Sequence, residues 1–123
     1  MLAVVDDDPR VFESLENLFE SAGYVVRTFS SARALIDAGL SGIDCLITDI
    51  GMPGMNGFEL RDMVKEARPD LPVFLITGRH EIGDQDRAQD VSGFFRKPFD
   101  GQVLLAAVDD ALRDRQGRDE HER

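Results

Sequence analysis

Ile43-Asp44-Cys45-Leu46-Ile47-Thr48-Asp49-Ile50-Gly51-Met52-Pro53-Gly54-Met55-Asn56-Gly57 decides the fold. The run Ile43–Thr48 is almost continuously apolar, the pattern of a strand covered on both faces. It stops at a carboxylate, Asp49, and a glycine-rich loop follows, which lets backbone groups come close to a ligand. Val73–Thr77 has the same apolar character and ends on a hydroxyl, and Leu2-Ala3-Val4-Val5 runs straight into Asp6 and Asp7. If these runs are parallel strands of one sheet, their polar ends meet at one edge.

Outward from these runs the chain alternates. Tyr24–Phe29 is more evenly alternating, which suits an edge strand, and Gly93–Arg96 is a fifth short run. Between them lie stretches with helical spacing. The first carries Phe12, Leu15, Phe19 and Ala22, with Asp8 as N-cap, Pro9 at the first helical position and Gly23 at the stop. The second spans about Ala32–Ala38 and ends at Gly39; the third uses Leu60, Met63, Val64 and Ala67 and stops before Pro69. The last begins at a cap, Asp100, and carries Val103, Leu104, Ala107, Val108, Ala111 and Leu112. The stretch Glu81–Val91 has only Ile82, Ala88 and Val91 as anchors. Gly83 weakens any helix there by about 1 kcal/mol against Ala, so the fourth helix is expected to be short, irregular or mobile.

Strand and helix in strict alternation imply parallel strands joined by right-handed crossovers. The expected fold is a flavodoxin-like doubly wound five-stranded parallel sheet, order 2-1-3-4-5, with helices on both faces. In that order the first and third strands flank the topological switch point, where ligands bind. Asp6, Asp7 and Asp49 converge there.

The chain has 123 residues, 42% of them hydrophobic, which suits one globular domain. Residues 1–113 read as that domain. Residues 114–123 read as a polar tail in which the last helix frays, with four basic and four acidic residues from Arg113 onward. Net charge is −10 and no basic cluster stands out, so direct nucleic-acid binding is not expected. No apolar run approaches the ~18 residues of a membrane span. No basic segment leads into an apolar stretch at the N-terminus, and the expected location is the cytoplasm. Cys45 lies inside an apolar run and reads as a reduced core thiol.

Three carboxylates at one point raise each other's pKa unless something positive stands among them. An oxygen-only donor set favours a hard cation such as Mg²⁺. Thr77 closes the fourth strand and Lys97 follows the fifth, adding a hydroxyl and an ammonium at the same edge. Together these are parts for phosphoryl transfer, which depends on positioning and charge neutralisation. A carboxylate nucleophile would give an acyl phosphate.

Val5-Asp6-Asp7-Asp8, Asp49 with Met52-Pro53-Gly54-Met55-Asn56-Gly57, Ile76-Thr77-Gly78 and Lys97-Pro98-Phe99 follow one another in an order and spacing that closely resemble the receiver domain of two-component response regulators. The likeness covers about residues 1–113. The wording around Ser14–Phe29 and Ile43–Gly57 is most similar to receivers of nitrogen-fixation-type regulators. The resemblance implies that Asp49 is the phosphoacceptor, supplied by a histidine kinase or histidine phosphotransfer protein. It implies Asp7 as direct Mg²⁺ ligand, Asp6 as its partner and Gly51 as donor of a backbone carbonyl to the ion. Lys97 would pair with phosphoryl oxygens and Thr77 would hydrogen-bond one of them. Phe94 aligns with the aromatic that turns inward when the threonine moves, and the Lys97-Pro98 bond is expected to be cis. Such a chain catalyses only its own phosphoryl transfer and dephosphorylation, signals to a protein partner, and is expected to be a monomer or weak dimer.

Against the family pattern, the Thr77–Lys97 stretch is slightly short and more polar, which leaves output through that face open. Gly51 puts no side chain beside the phosphoryl site, and Phe94 offers no hydroxyl. Competing readings are a phosphate sink, a receiver belonging to a longer transcription regulator, a pseudo-receiver that only binds a partner, and an aspartate-nucleophile phosphatase. The last normally wants a second acid two residues after its nucleophile, where Gly51 stands. Asp8 reads as a helix cap, Phe95 as core, His80 and His121 as solvent-exposed, and Met52, Met55 and Met63 as packing or loop cover.

Overall fold

The computed structural model describes the backbone of residues 1–78, 87 and 91–121, and the side chains of these as far as residue 114. Five parallel strands form one sheet: β1 (Leu2–Val5), β2 (Val26–Phe29), β3 (Cys45–Asp49), β4 (Val73–Thr77) and β5 (Gly93–Arg96), in the order β2-β1-β3-β4-β5. Four helices lie among the described residues: α1 (Pro9–Ser21), α2 (Ala32–Ala38), α3 (Gly57–Ala67) and the C-terminal α4 (Gly101–His121). The doubly wound order expected from the alternation is the observed one.

The period-2 geometry of the strands divides the interior in two. Ala3, Val5, Leu46, Val73 and Leu75 face one side, where Ala32 and Leu35 of α2 and Phe58, Leu60 and Val64 of α3 cover them. Leu2, Val4, Cys45, Ile47, Phe74 and Ile76 face the other, under Leu15 and Phe19 of α1 and Leu104 and Val108 of α4. Every residue of β1, β3 and β4 is buried. Each fully buried Leu, Ile or Phe contributes about 1.5–3 kcal/mol of hydrophobic stabilisation. Cys45 is a buried free thiol, as its apolar setting implies.

Register sets the site. Val5 pairs with Thr48, so the residue after β1, Asp6, stands level with Asp49 at the end of β3. Asp49 pairs with Ile76 and Thr77 with Arg96, which brings Thr77 and the following Lys97 to the same edge.

Element ends differ from the sequence reading in four places, each for a local reason. β2 begins at Val26 rather than Tyr24, because the Tyr24 amide donates to the carbonyl of Phe19 and belongs to the end of α1. The tyrosine ring packs edge-on against Phe19 at 6.0 Å, and its hydroxyl donates to Asp109 of α4. β3 begins at Cys45, since the Ile43 amide is used in a turn onto Leu40. α3 begins at Gly57, ahead of its first periodic apolar residue. A reciprocal cap starts it, in which Glu59 N donates to Asn56 Oδ1 (2.9 Å) and Asn56 N to Glu59 Oε1 (3.1 Å). The backbone of α4 continues to His121, where the sequence reading frays it after Arg113. Asp114 and Arg115 each precede an opposite charge, Arg118 and Asp119, by four residues, a spacing that supports helix. Met63 and Val103, expected on apolar stripes, are exposed. The expectation for Glu81–Val91 lies outside the described residues except at Arg87 and Val91, as do the side chains of His80 and His121.

Candidate phosphoryl-transfer site

The loop after β1 is built around Asp6. Its carboxylate is fully buried, and Oδ1 accepts a hydrogen bond from the Asp8 amide at 2.9 Å. Asp8 works in both directions, since its own side chain caps α1 by accepting from the Arg10 amide at 3.0 Å. Hydrogen bonds from the Arg10 side chain and backbone hold the Asp8 carboxyl below its ordinary value. Asp8 is therefore the cap that the sequence suggests, and its backbone also orients the acid beside it.

Asp49 ends β3, 5% exposed. Oxygens of Asp6, Asp7 and Asp49 lie within 4.8 Å of one another, with Asp7 on the solvent side. The Lys97 ammonium stands among them, 3.0 Å from Asp6 Oδ2 and 3.5 Å from Asp49 Oδ1. Burial and the charge of Asp6 raise the Asp49 pKa, and Lys97 only partly counters them. Burial works against the Lys97 ammonium, yet its hydrogen bond to Asp6 and the charges of Asp49 and Asp6 prevail and raise its pKa. One lysine thus leaves the ionised acids under-compensated. The donor set is all oxygen, partly open to solvent and short of positive charge, which fits a hard divalent cation.

The other expected residues are placed as follows. Thr77 is buried at the end of β4, and its carbonyl accepts from the Lys97 amide at 2.7 Å, so the two residues are tied through the backbone. Lys97-Pro98 is cis. Gly51 is exposed directly after Ile50, in a loop pinned by the Met52 and Gly57 amides, which both donate to the Ile50 carbonyl at 3.0 Å. Gly54 takes φ +75°, a conformation that glycine adopts without strain. Phe94 is half-buried on the α2–α3 side of the sheet, with the Arg96 guanidinium 5.7 Å from its ring. Phe95 points to the opposite side, against Phe74 and Phe99 at 6.4 Å each. Met52 is buried in the core and Met55 packs against it.

Two features escape the sequence reading. One is the Lys97–Asp6 bridge, which no local pattern signals. The other is Gly57. A Cβ there would stand 2.4 Å from the Asp49 carbonyl oxygen and 2.8 Å from Ile50 Cα. Only a glycine lets α3 start against the backbone of the candidate nucleophile, and its place one residue after the Asn56 cap was the available signal.

A family model described as the response regulator receiver domain matches residues 2–109. The transcriptional regulatory protein FixJ of Bradyrhizobium diazoefficiens is 35% identical over 114 residues, covering 89% of this chain and 55% of that protein. FixJ of Azorhizobium caulinodans is 37% identical over 126 residues, covering 98% of this chain and 59% of that protein. The chain spans about half the length of the curated relatives it matches. Among solved structures, a response regulator receiver domain protein from Clostridium thermocellum superposes with a TM-score of 0.82 at 28% identity, covering 94% of this chain and 95% of that one.

Proposed function

Because the chain belongs to the family of response regulator receiver domains, we propose that it takes a phosphoryl group from a phosphohistidine onto Asp49 and passes the signal to a protein partner by a change of shape. The observation that carries this reading is the Lys97 ammonium lying between the buried Asp6 and Asp49 at the carboxyl edge of the sheet.

An Asp49 carboxylate oxygen attacks phosphorus; the P–O bond forms as the P–N bond to the donor imidazole breaks, and the imidazole leaves with the electron pair. Lys97 releases part of its hold on the acids and pairs with the phosphoryl oxygens. The Thr77 hydroxyl donates to one of those oxygens, and Phe94, which packs on the α2–α3 side of the sheet, repacks with it. Pro98 keeps Lys97 turned toward the edge. Asp6, Asp7, Asp49 and the Gly51 carbonyl are the groups that would hold Mg²⁺. When bound, the ion neutralises charge on the transferring group and on the acids around it. Apart from this transfer and the hydrolysis of the acyl phosphate to free Asp49 and inorganic phosphate, no turnover of an external substrate is assigned to the chain.

The donor is a histidine kinase or histidine phosphotransfer protein, and the chain acts in the cytoplasm as a monomer or weak dimer. Among the described residues no helix is long and apolar enough to cross a membrane. A second reading, in which the chain is the receiver part of a longer transcription regulator, is favoured by its spanning about half of relatives that bear that name. Action as a phosphate sink uses the same site. The test is incubation with acetyl phosphate and Mg²⁺. Native protein should gain hydroxylamine-labile phosphate and Asp49→Asn should not; equal incorporation by both would overturn the assignment.

A further inference from the structure

Phe58 follows Gly57 at the start of α3, and its ring is buried beneath two guanidinium groups. Arg61 Cζ stands 5.3 Å from the ring centroid and Arg87 Cζ 4.1 Å. Arg61, one turn further along α3, also donates a hydrogen bond to the backbone carbonyl of Arg87. Its own side chain is only 12% exposed, and its Nε is steadied by Asp62 at 2.9 Å. Two residues of α3 therefore hold both the side chain and the backbone of Arg87, which lies in the connection from β4 to β5.

Two guanidinium groups on one ring repel each other, so the aromatic face and the carbonyl must outweigh that repulsion. The same end of α3 rests on the site, because the Gly57 amide donates to the Ile50 carbonyl and position 57 has no room for a Cβ beside the Asp49 carbonyl. A hydrogen-bonded helix moves as a unit over this short span. We infer that Phe58, Arg61 and Arg87 form a clasp through which α3 carries a displacement of the Asp49 strand end to the β4–β5 connection. The clasp is independent of what displaces Asp49, so it stands apart from the phosphoryl-transfer reading.

Limited trypsin digestion of the full chain tests this, since the carbonyl that Arg61 binds belongs to the bond trypsin cuts after Arg87. Arg61→Met should speed that cut about fivefold, the effect of losing one hydrogen bond of ordinary net strength. Phe58→Leu keeps an apolar side chain in the core but removes the aromatic face, and should speed it too. Gly57→Ala pushes α3 off the Asp49 carbonyl and should change the rate in the native background but add nothing to Arg61→Met. Unchanged cutting in Arg61→Met or Phe58→Leu overturns the clasp. Equal effects of Gly57→Ala in both backgrounds overturn the coupling. A parallel rise in cutting after Arg10, in α1, would mark global unfolding and overturn the local assignment.

Discussion

The fully buried carboxylate of Asp6 and the ammonium of Lys97 are joined at 3.0 Å across the carboxyl edge of the sheet, 91 residues apart in the chain. The lysine is thus a structural counter-ion before it is a ligand for any phosphoryl group. Lys97→Met removes the positive partner of a buried acid and leaves Asp6 and Asp49 facing each other. Stability should fall by about 2 kcal/mol, below the 3–5 kcal/mol of a fully buried pair because Lys97 is partly exposed. Urea denaturation at neutral pH without metal measures it.

Asp49 gives the opposite sign. Its folded pKa is raised above the ordinary carboxylate value by burial and by Asp6. Its favourable contribution is present below the unfolded pKa and is lost as pH climbs through the raised value. At neutral pH and without metal the ionised group costs stability. Asp49→Asn should therefore melt a few degrees higher than native protein there, at roughly 3–6 °C per kcal/mol for a domain of this size. The difference should vanish near pH 3, and calorimetry at the two pH values checks both.

A divalent cation relieves the same crowding. A ligand that binds only the folded state stabilises it by RT ln(1 + [L]/Kd), about 1.4 kcal/mol at ten times Kd. Millimolar Mg²⁺ should raise the Tm of native protein, and Asp7→Ala should abolish the rise while leaving the metal-free Tm nearly unchanged, because Asp7 is exposed. A thermal-shift titration decides it.

Gly57→Ala should cost about 2 kcal/mol or more, because the new methyl meets backbone rather than a movable side chain. Gly39→Ala is the instructive contrast, as the space around it is open and only its positive φ resists the change, at about 1 kcal/mol. Chemical denaturation of the pair separates a steric from a conformational requirement.

Tyr24→Phe should lose about 1 kcal/mol, the net worth of its hydrogen bond to Asp109. Burial, then the hydrogen bond to Asp109, push the Tyr24 pKa to about 12. The stability this group contributes is complete below its unfolded pKa near 10 and is lost as pH rises through 12. Native protein should accordingly destabilise between those values more steeply than the variant.

Strand order and the meeting of Asp6, Asp7 and Asp49 were legible because they depend on coarse features. Apolar runs alternating with helical stretches leave few topologies, and acids at the ends of parallel strands must share an edge. The resemblance to nitrogen-fixation-type regulators rests on the wording of Ser14–Phe29 and Ile43–Gly57 and agrees with the FixJ relatives. Element starts were less legible, since hydrophobic periodicity marks only the packed part of an element. Ile43 and Tyr24 look like strand residues, yet their amides serve neighbouring turns. The Lys97–Asp6 bridge and the contact of Gly57 with Asp49 depend on distances between elements; the position of Gly57 after the Asn56 cap is a local signal for the second, and no local pattern signals the first.

The sheet that separates Phe94 from Phe95 also separates two sets of packing partners. Leu46 and Ile47 are adjacent in the chain but answer to different partners, α2 and α3 on one side, α1 and α4 on the other. Substitutions on one side can be repaired there without consulting the other, and pairs drawn from opposite sides and more than about 10 Å apart should combine additively. The side that carries Phe58 and Leu60 can therefore be repacked while the side holding α4 stays as it is. Asp49, at the end of the strand that divides them, is answerable to both.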